Sequence, residues 1–74
     1  MEKITKREMF EAIKEFAIDD VKFALDTDDK RIRDERLKPV YDKVHERFDE
    51  EYADCIEKID ECMYKIQKFV VRRW

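Results

Sequence analysis

His45 is the only histidine of the chain, and Asp42 stands three residues before it. On a helix that spacing places both side chains on one face, an element used in carboxylate-bridged metal bundles. Such sites need several more inward-facing carboxylates, whereas the neighbours at helical spacing are Tyr41, Val44, Phe48 and Tyr52. A solvent-facing polar pair is the plainer interpretation, so no metal and no other cofactor is expected. Cys55 and Cys62 form no CxxC pair and have no second ligand cluster beside them. A disulfide needs Cα atoms within about 7 Å, and seven residues of helix rise about 10.5 Å. Both thiols are therefore expected to be reduced and to act as small hydrophobes. A thiol on a dimer seam could still link two chains on oxidation.

The residues that are missing narrow the chemistry further. There is no Gly, no Ser and no Asn, and only one Pro. Glycine-rich phosphate loops, dinucleotide fingerprints and serine nucleophiles are excluded because their atoms are absent. No catalytic residue is expected, and the chain reads as non-enzymatic.

Two charged tracts are the remaining candidates for function. Lys30, Arg31, Arg33, Arg36 and Lys38 cluster at a bend beside a helix start, where cations could hold phosphate. Asp28, Asp29, Asp34 and Glu35 are interleaved with them, and the chain is net −3 with a pI near 5.2. Nucleic-acid binders usually show a basic face and a pI above about 9. A solvated bend is thus the plainer interpretation. Asp49, Glu50, Glu51, Asp54, Glu57, Asp60 and Glu61 make an acidic surface that could fit a partner's basic groove. Lys65, Lys68, Arg72 and Arg73 then follow without an acid, as a helix C-terminus favours.

The elements that must carry these groups are all helical. Half the residues are charged and 43% are hydrophobic, a balance typical of long helices. Thr5-Lys6-Arg7-Glu8 fits a capping box and opens a first helix over about 5–26. Met9, Phe10, Ile13, Phe16, Ala17, Val21, Ala24 and Leu25 give it a broad apolar arc, widened by Ile18 and Phe23. Asp26-Thr27-Asp28-Asp29 makes a turn in which Thr27 or Asp28 can cap the next element. A short helical stretch over 28–38 is expected to bend at Pro39 into a long helix over about 39–72.

That long helix rests on a 4-3-4 spacing of Leu37, Tyr41, Val44, Phe48, Tyr52, Cys55, Ile59, Met63, Ile66, Val70 and Trp74. An eleven-residue repeat gives about 3.67 residues per turn and a nearly straight helix. It would be roughly 50 Å long against about 33 Å for the first helix, so a hairpin leaves its far end uncovered. The expectation is a homodimer, two hairpins forming a four-helix bundle. Its seam would comprise Tyr52, Cys55, Ile59, Met63, Ile66, Phe69, Val70 and Trp74. The alternative is a three-helix bundle within one chain, broken near 48–52 where Asp49 could cap a new helix.

The sequence has no specific resemblance to a named family; the opening Thr5-Lys6-Arg7-Glu8 and its amphipathic helix have only the flavour of small phage reading frames. The leading functional expectation is a protein–protein interaction module, a small acidic adaptor or inhibitor of phage type that blocks a larger protein or nucleoprotein. The alternative is a nucleic-acid-associated regulator using the basic bend. One helical domain over 1–74 is expected, cytoplasmic, with no secretory leader and no membrane contact.

Overall fold

The computed structural model describes residues 4–72. They form α1 (Lys6–Leu25), α2 (Lys30–Phe48) and α3 (Glu57–Arg72), with a 3-10 turn at Ala53–Cys55 leading into α3. The all-helical expectation holds. Asp20 meets Lys43 at 3.1 Å, and the Phe23 carbonyl accepts from Arg36 at 3.0 Å, so α2 returns antiparallel to α1. Gln67 donates to the Tyr41 hydroxyl at 2.7 Å, and Asp60 meets His45 at 2.8 Å, so α3 reverses again. The result is an up-down-up bundle measuring 44 × 23 × 16 Å.

α1 starts as its sequence dictates. The Thr5 hydroxyl accepts from the Glu8 amide at 3.1 Å, and the Glu8 carboxylate accepts from the Thr5 amide at 3.4 Å. Met9, Ile13, Ala17, Val21 and Ala24 form the buried stripe. The cap of α2 is Asp29, one residue beyond the two expected. Its carboxylate accepts from the amides of Arg31 and Ile32, while the Thr27 hydroxyl accepts from the Asp29 amide.

Two expectations need correction here. First, α2 runs through Pro39 with no separate short helix over 28–38. Proline in a helix interior removes one hydrogen bond at a cost of about 3 kcal/mol. Buried Val40, Val44 and Phe48 anchor the helix after Pro39, and Arg36, bound to the Phe23 and Asp26 carbonyls, anchors it before. Second, the long helix is broken, at the place where the three-helix alternative put the break. The apolar spacing passes through the reversal because the connection is itself built from near-helical turns. The amides of Asp49, Tyr52, Cys55 and Ile59 bond back to His45, Phe48, Tyr52 and Ile56 respectively. Asp49 and Ile56 keep helical torsions, while Tyr52 leaves the helix at φ −113, ψ 36. No described residue has positive φ, so the turn needs neither glycine nor asparagine.

The break removes the uncovered end that called for a second chain. Tyr52, Ile59, Met63, Ile66 and Val70 are buried by the chain's own helices, and Cys55 and Phe69 are partly buried against the same core. Trp74 lies outside the described residues. The stripe is satisfied within one chain, and a four-helix bundle of two hairpins is not needed to cover it. Among the described residues no polar or charged residue is fully buried, and no helix is long and apolar enough to cross a membrane.

Candidate nucleic-acid interface

The five cations of the expected phosphate site are divided by the fold. Arg36 is committed to α1, whose C-terminal carbonyls need donors. Its Nη1 donates to the carbonyls of Phe23 at 3.0 Å and Asp26 at 3.3 Å, and the guanidinium lies 4.5 Å from the Phe23 ring centre. Arg33 is half-buried, and its Nε is enclosed without a hydrogen-bond partner. Lys30, Arg31 and Lys38 remain exposed and form no ion pair among the described residues. The first turn of α2 holds no acid.

The acidic surface is likewise divided. Glu51 meets Arg47 at 3.1 Å. Asp49 and Asp60 are brought together by His45, whose Nδ1 lies 2.6 Å from Asp49 and whose Nε2 lies 2.8 Å from Asp60. Glu50, Asp54, Glu57 and Glu61 stay exposed around the connection and the start of α3. The partner of His45 is thus not Asp42. Asp49 was legible one helical turn away, but Asp60 required the chain to fold back. Among the described residues no group of three His, Cys, Asp or Glu is placed to hold a metal.

Hydrogen bonds to Asp49 and then Asp60 raise the His45 pKa above its ordinary value, because two carboxylates favour a ring that donates from both nitrogens. The sign follows from linkage. A raised folded-state pKa stabilises the fold fully below the unfolded value of about 6.5, and that contribution is lost as pH rises through the folded value. Both carboxylates are well exposed, which limits the effect to about 1 kcal/mol. Between pH 6 and the far side of the His45 titration, wild type should lose ~4–8 °C in Tm relative to His45→Gln. Parallel pH profiles for the two chains would show that the bridge contributes nothing. Cys62 carries no comparable chemistry, since burial pushes its thiol up and keeps it protonated.

A third charged region is assembled only by the fold. Phe10 of α1 and Lys65, Lys68, Phe69 and Arg72 of α3 line an open groove of about 510 Å³. Lys14 packs against two of its rings, with Nζ 5.3 Å from the Phe10 ring centre and 4.8 Å from that of Phe69. Glu11 meets the same Nζ at 3.2 Å. Lys68 lies 4.7 Å from the ring centre of Tyr64, which is 57% exposed. The run of cations near the C-terminus was visible in the sequence. Its aromatic wall on α1 was not, because Phe10 reads there as part of a helix core.

Comparison with known proteins supplies the family. A family model described as "PNPase: Polyribonucleotide nucleotidyltransferase, RNA binding domain" matches residues 8–74. The polyribonucleotide nucleotidyltransferase of Ruminiclostridium cellulolyticum is 31% identical over 67 residues, 90% of this chain and 10% of that protein. That of Lachnoclostridium phytofermentans is 39% identical over 67 residues, 89% of this chain and 10% of that protein. The chain spans about one tenth of the length of the curated relatives it matches. No solved structure matches it. These findings overturn the expectation of a phage-type acidic inhibitor. The whole-chain charge of −3 misled because it averages over acids gathered at the connection and cations gathered elsewhere. The chain belongs to the polyribonucleotide nucleotidyltransferase RNA-binding-domain family.

Proposed function

We propose that this chain is a helical RNA-contacting module, cytoplasmic and without catalytic residues of its own, that holds RNA for an attached or associated polyribonucleotide nucleotidyltransferase activity. The family match supports RNA as the ligand. One geometric observation supports the basic bend as a contact. Lys30, Arg31 and Arg33 occupy the first turn of α2 with no acid among them. Cations at a helix N-terminus oppose the helix dipole and cost about 0.3–1 kcal/mol each. The Asp29 carboxylate already occupies the amides of that turn, so phosphates would be met by the exposed side chains, one by Lys30 and Arg31 and another further along the helix by Lys38. Arg36 contributes by fixing the corner between α1 and α2.

Fluorescence anisotropy with labelled RNA oligonucleotides tests both parts. Wild type should bind at about 50 mM salt and weaken steeply toward 200 mM, as counterion release requires. The Lys30→Gln/Arg31→Gln chain should bind about tenfold more weakly, with a salt slope shallower by roughly 1.4 for a single strand. No binding by wild type at about 50 mM removes the RNA proposal. Unchanged binding by the double variant removes the bend and leaves RNA contact to be located elsewhere.

A further inference from the structure

The exposed face of the C-terminal half of α3 combines a row of cations without acids, an exposed aromatic ring and a groove shared with α1. From Met63 to Arg72 there is no acid, while Lys65, Lys68 and Arg72 stand at i, i+3 and i+7. These three lie along one shoulder of the helix over about 10.5 Å, long enough for more than one phosphate. Beside them Tyr64 and Val71 are each 57% exposed. The groove is also lined by Phe10 of α1, against which Lys14, paired with Glu11, is packed.

We infer that this face is a track for single-stranded RNA, with Tyr64 stacking an unpaired base and Lys65, Lys68 and Arg72 holding successive phosphates. The inference rests on the RNA-binding proposal and names the form of RNA and the second place of contact. Sites for unpaired strands combine a cationic groove with aromatic faces on which bases stack. Duplex RNA hides its base faces and is met mainly at phosphates and 2′-hydroxyls, which gives an exposed tyrosine ring nothing to stack on. A protein partner would have to supply an acid to each of three cations in an acid-free row, whereas an RNA backbone brings its phosphates at regular spacing. Tyr64 carries the stacking role because its ring is exposed, whereas the groove's own rings, Phe10 and Phe69, are partly buried against the core. Lys68, 4.7 Å from the Tyr64 ring centre, links the stacking position to the phosphate row.

The test uses the full chain with a single-stranded RNA decamer and a duplex of the same sequence. Tyr64→Ala should weaken single-strand binding about tenfold, Tyr64→Phe should restore it, and duplex binding should not change. Lys65→Gln/Lys68→Gln should flatten the single-strand salt slope by about 1.4. Tyr64 is exposed, so far-UV circular dichroism should show each variant folded. If Tyr64→Ala binds the decamer like wild type while Lys30→Gln/Arg31→Gln loses it, RNA binding stands and the track is wrong. Preference for the duplex also overturns the track. If wild type binds neither RNA at about 50 mM salt, the RNA-binding proposal fails and the track fails with it.

Discussion

Ile66→Asp is expected to unfold the chain rather than to separate two copies of it. Ile66 is 0% exposed and belongs to the core cluster that joins all three helices. Replacing it removes about 1.5–3 kcal/mol of apolar burial. The carboxylate then has no cation within the core to meet, since no charged residue is fully buried among the described residues. Burying it or protonating it adds several kcal/mol more. A chain of this size has about 4–11 kcal/mol of total stability at ordinary values per residue. Val70→Asp, 1% exposed, should behave the same way. Circular dichroism should show lost helix, and light scattering should show no folded species of halved mass. A fully helical variant whose mass falls by half would mean that Ile66 serves an interface between copies instead.

Phe48→Ala is expected to cost about 3–5 kcal/mol, the range for large core aromatics. Phe48 ends α2, and its ring meets Phe16 edge-on at 5.4 Å and 87°. It also stacks on Tyr52 at 5.4 Å and 0°. Aromatic pairs in these geometries add about 0.5–1.5 kcal/mol beyond their buried area. Phe16 is on α1 and Tyr52 is inside the connection, so one side chain ties the reversal to the first helix. The urea midpoint should fall sharply with little change in slope. A loss under about 1 kcal/mol would show that the reversal is held elsewhere, with the His45 bridge the next place to look.

The sequence made some of this legible and hid the rest for reasons that can be named. Local rules sufficed for the Thr5 cap, the turn at 26–29 and the buried stripe of α1. They also located the buried members of α3, because Ile59, Met63, Ile66 and Val70 keep their phase wherever the helix begins. The break was obscured because a connection made of helical turns does not reset the apolar spacing. The better signal was electrostatic. Asp49, Glu50 and Glu51 follow the end of α2, where a helix dipole disfavours acids, while Glu57 and Asp60 occupy the first turn of α3, where it favours them. Contacts between distant segments were beyond local reading. Arg36 reaching Phe23, His45 reaching Asp60, and Phe10 facing Lys65 and Lys68 all depend on how three helices lie together. Of the site residues, the types were visible and the groupings were not.

The connection between α2 and α3 has a consequence for how the chain tolerates change. A reversal built on glycine ties its shape to one residue whose replacement strains the backbone. This one uses only ordinary torsions, and its course is set by two buried rings, Phe48 and Tyr52. Exposed positions between and after them, among them Glu50, Ala53 and Asp54, are therefore open to substitution by most residue types without backbone penalty. The path of the turn thus depends on two aromatic anchors and hardly on the spelling of the residues between and after them.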